Sequence, residues 1–138
     1  MSLMMRIMKD LGPLNRVFCS RDYDRSIEYL QRILPFKVIP FHGGRPLNGW
    51  VIPPWWNVRQ ARIVRRGEIL YDGTAHPLRV IALSRSFRGR VDREELKRHL
   101  YFDARYEDAV PYHFRQLYRS WKRDWGFCVT RRFYDSLE

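Results

Sequence analysis

The sequence contains little cysteine, and Cys19 and Cys128 are the only two among its 138 residues. Two cysteines are too few for a disulfide framework or a zinc knuckle. Each lies among apolar neighbours, which predicts buried free thiols in a reducing compartment. The sequence also lacks the roughly 20-residue apolar run that spans a bilayer, and its first residues do not form a signal peptide. We therefore expect a cytoplasmic protein that makes no membrane contact.

Motifs that carry catalysis or hold a cofactor are also missing. Ser84 and Ser86 are not enclosed in a Gly-x-Ser-x-Gly elbow, and Gly43-Gly44 lacks the Lys-Ser/Thr that completes a phosphate loop. The histidines have no His-x-x-x-His spacing, which disfavours a metal site. They are His42, His76, His99 and His113. The residues therefore predict no catalytic site, and we expect no cofactor or metal in this chain.

Acidic residues are the minority among the charges. The chain has 15 Asp and Glu against 26 Lys and Arg, which gives a formal net charge of +11. Most of the positive charge is arginine, which binds phosphate in bidentate fashion and stacks on aromatic rings, so nucleic acid is one candidate partner. The alternatives are a solvated basic surface or a surface that faces an acidic partner domain.

Two helices follow from the spacing of apolar residues and from their caps. Residues 22–34 place their apolar side chains on one helical face, and Asp22 or Asp24 can cap the start. Residues 92–101 begin with a capping box in which Asp92 is the cap.

A third helix is predicted over residues 112–125, with an aromatic stripe on one face and basic side chains on another. Arginines one turn apart can follow phosphates, so the basic face is a candidate nucleic-acid contact: Arg115, Arg119, Lys122 and Arg123. The alternative is that the stripe belongs to the core and the basic face is solvated. Residues 127–129 then predict a short strand, and Thr130 caps a final turn.

Short apolar runs between turn residues predict the remaining strands, over 36–39, 59–64, 68–71 and 78–84. The nearly continuous run at 78–84 is typical of the centre of a sheet. We predict the α+β class: a small, mostly antiparallel β-sheet or sandwich with flanking short α-helices. Three parts are expected. They are an N-terminal arm and helix (1–35), a β-rich domain with one helix (36–108), and a basic aromatic helix and short strand that pack back on that domain (109–138).

Tryptophan and proline concentrate in residues 49–58. Each proline lacks a backbone donor and bars the preceding residue from helical angles, so this segment is predicted to be extended and rigid. Burying one tryptophan removes roughly 150–250 Å² from water, so we expect Trp50 and Trp56 to be buried. Trp55, held by Pro53 and Pro54, is the indole expected to remain for a partner.

Five segments, read in order, resemble the N-terminal part of a bacterial family of predicted zinc aminopeptidase-like proteins. In that family a small β-rich domain of unknown function is inserted early in a zinc-exopeptidase domain, and a winged helix follows at the C-terminal end. The segments are Trp50-x-x-Pro53-x-x-Trp56-Asn57-Val58, residues 78–84, residues 94–100, residues 108–112 and Trp125-Gly126-Phe127-Cys128-Val129.

The resemblance covers residues 13–138 and implies a division of roles. Residues 13–35 are the expected first helix of the peptidase domain, residues 36–108 the inserted domain, and the remainder a return toward the peptidase domain. The family's metal-binding residues lie downstream of the Trp-Gly-Phe-Cys segment, so zinc is expected only in the longer members. Residues 113–124 are more basic and more helical than the resemblance implies.

Three functions are compatible with these observations. The first is a non-catalytic accessory module that acts through a protein partner or through self-association. The second is nucleic-acid binding through the basic face of residues 112–125. The third is that the chain belongs to a longer, functional peptidase, which leaves its status as an enzyme open.

Overall fold

The computed structural model describes residues 1–117, 119 and 124–137. The chain forms two compact units, which we call the N-terminal unit (Met1–Asn57) and the C-terminal unit (Val58–Glu138). Short helices and two-stranded sheets alternate along the described residues, and two of the sheets are antiparallel. The predicted α+β class is confirmed.

Two helices open the N-terminal unit. Helix α1 (Leu3–Leu11) was not predicted, whereas helix α2 (Arg21–Gln31) confirms the helix expected from residue 22. Its cap differs from the prediction, because the Ser20 hydroxyl accepts the bond from the Tyr23 amide at 3.2 Å. The Tyr29 hydroxyl donates to Asp10 at 2.7 Å and so ties the two helices together.

A small hairpin follows in the N-terminal unit. Strands β1 (Pro46–Leu47) and β2 (Trp50–Val51) pair in antiparallel fashion, with Leu47 opposite Trp50. The turn residues Asn48 and Gly49 have φ of 49° and 80°, the left-handed angles that a two-residue hairpin turn requires. Asn-Gly is the sequence signal for this turn, and our sequence reasoning missed it.

The strand predicted over residues 36–39 is wrong. Residues 36–42 have no regular secondary structure. Their composition favours a strand, but a strand forms only where a neighbour satisfies its backbone groups, and these residues have no such neighbour among the described residues.

The C-terminal unit begins with the hairpin of strands β3 (Arg62–Arg65) and β4 (Glu68–Asp72), with its turn at Arg66 and Gly67. Antiparallel pairing joins the two strands, and the register shifts between Ile63 and Val64. The strand predicted over residues 68–71 is confirmed, whereas the strand predicted over residues 59–64 begins only at Arg62 and extends to Arg65.

Residues 126–129 lie at the centre of this unit. Strand β6 (Phe127–Cys128) runs parallel to strand β5 (Leu100–Tyr101). On the other side, the Ile81 amide donates to the Gly126 carbonyl at 3.2 Å, and the Cys128 amide donates to the Arg79 carbonyl at 2.9 Å. The strand expected at 127–129 is therefore confirmed, and it has hydrogen-bonded neighbours on both sides.

The strand predicted over residues 78–84 is wrong as a strand but right as core. Only Val80 forms an isolated antiparallel bridge, with Phe127, and the chain then turns. Leu83 has a left-handed φ of 60°, which a strand does not allow. Ile81 and Leu83 are nonetheless almost completely buried. The apolar run therefore indicated that these residues are buried, but not that they form a strand.

Local caps fixed the other two helices as predicted. Asp92 accepts the bond from the Glu95 amide at 2.8 Å and begins helix α3 (Arg93–Arg98). Helix α3 is shorter than expected, because the chain leaves it to enter strand β5. Thr130 caps helix α4 (Arg131–Asp135), the predicted final turn.

The helix predicted over residues 112–125 is not found in the described part of that range. A 3-10 helix covers Arg115–Leu117, and residues 112–114 and 124–126 are not helical. The backbone at both ends has other partners, because the Ala82 amide donates to His113 at 3.4 Å and the Arg85 amide donates to Asp124 at 3.1 Å. The rest of the prediction, at residues 118 and 120–123, lies outside the described residues.

The main core belongs to the C-terminal unit and collects one or two side chains from most of its elements. Tyr71 packs edge-on against Phe127 and donates its hydroxyl hydrogen bond to the Cys128 carbonyl at 2.6 Å. The buried members are Ile63, Tyr71, Leu100, Phe127, Val129 and Leu137.

Replacing Gly126 by alanine should destabilise the protein by about 1–3 kcal/mol, the usual cost of overpacking. A Cβ at this position meets the His99 carbonyl oxygen at 2.7 Å, and that carbonyl is fixed because it accepts from the Phe127 amide. The free energy of unfolding, measured by urea titration, tests this. Gly89→Ala is the matched control, since the atoms nearest its Cβ belong to the half-exposed side chain of Phe87 and not to the backbone. Equal stability of the two variants would contradict the packing at Gly126.

Alkaline pH should weaken the fold through two buried groups. Burial raises the pKa of Tyr71 to about 12 and that of Cys128 to about 11, from 10.0 and 9.0. The neutral forms are favoured in the folded state, so the stabilisation is complete below about pH 9 and is lost as the pH rises toward 12. Tyr71→Phe should flatten the loss between pH 10 and 12, whereas the control Tyr106→Phe, at an exposed tyrosine, should not. Parallel stability curves for the two variants would contradict this.

Candidate functional site

The tryptophans of the N-terminal unit lie at different depths. Trp55 is 60% exposed, as predicted, and lies two residues after the fully buried Pro53. Trp50 was expected to be buried, but it is 39% exposed and packs edge-on against Phe18 at 5.8 Å. Trp56 is half-buried, and its amide donates to the Cys19 carbonyl at 2.6 Å. The role of Trp55 as a partner contact stays a prediction.

The predicted basic face is only partly described. Arg115 begins the 3-10 helix, and Arg119 is exposed, with its amide donating to the Gln116 carbonyl at 3.3 Å. Lys122 and Arg123 lie outside the described residues. Nucleic-acid contact through these four side chains therefore stays a prediction.

Apolar side chains are distributed unequally between the two units. In the C-terminal unit, the buried apolar residues outnumber the large exposed ones among the described residues. The N-terminal unit shows the reverse. Its buried apolar core consists of Leu11, Val17 and Ile52, together with Pro53, and exposed apolar side chains outnumber these severalfold. The N-terminal unit therefore carries far more uncovered apolar surface than its own packing requires.

Helix α1 supplies part of this surface. Two of its side chains, one turn apart, are shielded from solvent: Leu11 is buried and Ile7 is partly buried. Met4 and Met8 are also one turn apart, and both are exposed. Methionine side chains are flexible and polarisable and adapt to varied surfaces. The i, i+4 spacing of these four residues was the sequence signal for this helix and its apolar face.

Residues 34–41 supply the other part. Leu34, Phe36 and Val38 are exposed, and Ile39 and Phe41 are exposed by 66% and 58%. We call residues 36–41 the apolar segment. A surface loop is ordinarily polar, because exposed apolar side chains gain nothing from water.

A stack of three rings marks the C-terminal unit and was not foreseen from the sequence. Trp125 lies between Phe87, at 4.4 Å and 8°, and His99, at 3.8 Å and 20°. His99 is buried, with Nε2 at 2.9 Å from a Glu95 carboxylate oxygen and Nδ1 at 3.0 Å from the Trp125 carbonyl. Both ring nitrogens therefore face acceptors, and the stack anchors the Phe87 loop to helix α3.

Nucleophilic and metal chemistry find little support among the described residues. Burial raises the pKa of the Cys19 and Cys128 thiols, so neither is poised as a thiolate nucleophile at neutral pH. Cys128 is buried as predicted, whereas Cys19 is only partly buried. Within the described ranges, three or more His, Cys, Asp or Glu side chains do not converge on a point that could hold a metal.

Long apolar helices are also missing from the described part of the chain, where the helices fall short of the length and hydrophobicity needed to cross a bilayer.

These features define a small α+β domain with an apolar N-terminal surface and a separately packed C-terminal core. Residues 55–138 match the family described as "Domain of unknown function (DUF2172)". The match covers well over half of the chain, and the chain belongs to this family. The expectation of a domain of unknown function is confirmed, while aminopeptidase activity, zinc and the winged helix stay predictions.

A solved structure shares this fold. It is a protein from Clostridium acetobutylicum, described as a "putative peptidase", which is 22% identical and superimposes with a TM-score of 0.80 over 94% of this chain. The match covers 30% of the Clostridium chain, so this chain spans less than a third of that protein's length. At this identity the likeness shows a common fold. No curated protein matches the chain.

Proposed function

We propose that this chain is a non-catalytic accessory module that docks on a peptidase-like domain through the apolar side chains of its N-terminal unit. The observation that carries the proposal is the imbalance in that unit, where exposed apolar side chains outnumber buried ones. Extensive apolar surface in contact with water is typical of a surface that another protein covers. In this proposal, zinc and peptide hydrolysis belong to the domain that is bound.

The structural relative supports this choice of partner. In the Clostridium protein the shared fold accounts for 30% of the chain, so most of that protein lies outside it. A module that occurs within a larger protein needs a surface that the larger part covers. The N-terminal unit offers such a surface, whereas the C-terminal unit buries most of its apolar side chains in its own core.

The available side chains are sufficient for a stable contact. A standard interface removes roughly 800 Å² from each partner, and one large aromatic residue supplies roughly 150–250 Å² of that when it is fully covered. Phe41, Trp55 and the methionines of helix α1 are all more than half exposed. A few such residues at the centre of an interface usually provide most of its affinity.

A chimera tests the proposal. This chain replaces the structurally equivalent segment of the Clostridium protein, and calorimetry compares its unfolding with that of the chain alone. Docking should raise the unfolding temperature of the module by at least about 5 °C, because 1–2 kcal/mol of contact shifts a domain of this size by that much. Ile39→Glu/Phe41→Glu should abolish the rise, since burying a carboxylate in an apolar contact is unfavourable.

The matched control is Val64→Glu/Ile69→Glu, a cross-strand pair in the C-terminal unit that is similarly exposed, at 54% and 52%. The control should keep the full rise in unfolding temperature. The proposal is wrong if the chimera unfolds at the temperature of the free chain, or if both double variants lose the rise equally. It is also wrong if the free chain forms a dimer that the Ile39→Glu/Phe41→Glu variant dissociates, because the second copy is then the occupant.

A further inference from the structure

We infer that the apolar segment, residues 36–41, binds the partner domain by adding a strand to the edge of its β-sheet. This inference rests on the proposed function and specifies how the docking is made. Strand addition uses two features together, namely free backbone groups and side chains that fit a sheet. The apolar segment has both.

The first feature is the unpaired backbone. Between residues 37 and 43, and among the described residues, the backbone amides donate to no backbone carbonyl. Pairing resumes on either side, where the Phe36 amide donates to the Leu34 carbonyl at 3.0 Å and the Gly44 amide donates to the Ile52 carbonyl at 2.7 Å. An edge strand of a sheet presents a row of unpaired N–H and C=O groups, and a free backbone of this length can pair with them.

The second feature is the side-chain composition. Phe36, Val38, Ile39 and Phe41 are aromatic or β-branched, the residue types that favour strands, and all four are exposed. In an extended chain Phe36 and Val38 project to one face, while Ile39 and Phe41 project to the other. Lys37 begins the second face, so one face of the added strand is apolar throughout and the other is apolar from Ile39 onward. Such a strand fits a sheet that is covered on both faces, as in α/β domains.

Pro40 determines which edge of the added strand can pair with the partner's sheet. In a strand, the backbone groups of alternate residues point to the same side, and proline has no N–H to donate. The side that carries residues 36, 38 and 40 is therefore the outer edge. The amides of Lys37, Ile39 and Phe41 point to the opposite side, toward the partner's strand.

Two proline variants test this register in the same chimera. Lys37→Pro removes an amide on the pairing side and should lose at least half of the rise in the unfolding temperature of the module. Val38→Pro removes an amide on the outer side, keeps an apolar side chain and should retain the rise. Since neither amide donates to a backbone carbonyl among the described residues, both free variants should unfold at the temperature of the unaltered chain.

Hydrogen exchange supplies a second readout. The amides of peptides that cover residues 37–41 should gain protection in the chimera relative to the free chain. The inference is overturned if both proline variants keep the rise, if both lose it equally, or if these peptides gain no protection while Ile39→Glu/Phe41→Glu still abolishes docking. In that last case the proposed function stands and contact is made by side chains alone. Failure of the unaltered chimera to gain stability defeats the proposed function itself.

Discussion

The hydrogen bonding of residues 126–129 on both sides is the constraint on which the described C-terminal unit depends. The Phe127 and Val129 amides donate to the His99 and Tyr101 carbonyls, and the segment pairs with residues 79–81 across its other edge. A backbone paired in this way and buried from water tolerates no missing partner, since each unpaired group costs about 1–3 kcal/mol. Gly126 is required because the His99 carbonyl passes too close for any Cβ.

Other elements of the unit are arranged around this short strand. Tyr71 brings the β3–β4 hairpin to it through the hydrogen bond to the Cys128 carbonyl. Residues 81–83 form a turn and not a strand, and their side chains are almost completely buried, as are those of Cys128 and Val129. The ring stack of His99 and Trp125 joins the end of helix α3 to the residue that precedes Gly126. Two-stranded sheets are marginal on their own, so this shared core supplies their stability.

The N-terminal unit follows the opposite principle. Its helices are capped and its hairpin is closed by an Asn-Gly turn, so its local structure is satisfied. The apolar segment is the exception: the amides of residues 37–41 donate to no backbone carbonyl in the described part of the chain, and its apolar side chains are exposed. In our account that exception is functional: the segment is where a partner supplies the pairing and the cover that the chain itself lacks.

Sequence reasoning succeeded where the determining interaction is local. Asp92 and Thr130 cap their helices through bonds three residues away, and the β3–β4 hairpin follows from adjacent apolar runs and a tight turn. It failed where residues distant in the sequence determine the local structure. Residues 78–84 have the composition of a central strand. In the structure they are buried in a turn, in which Leu83 has a positive φ.

For the candidate site, the exposure of Trp55 was predictable from its two prolines. Residues 36–39 of the apolar segment were predicted to form a short strand, because their composition favours backbone pairing but does not specify which chain supplies the partner. The apolar face of helix α1 was readable from the spacing of Ile7, Leu11, Met4 and Met8, and was overlooked.

Residues 126–129 have backbone hydrogen bonds on both sides, whereas the amides of residues 37–43 donate to no backbone carbonyl among the described residues. Amide hydrogen exchange of the free protein measures both at once. We predict that the amides of Phe127, Cys128 and Val129 exchange only through global unfolding, whereas those of residues 37–43 exchange at nearly the rate of an unstructured peptide. Protection of residues 37–43 equal to that of residues 127–129 would contradict the account.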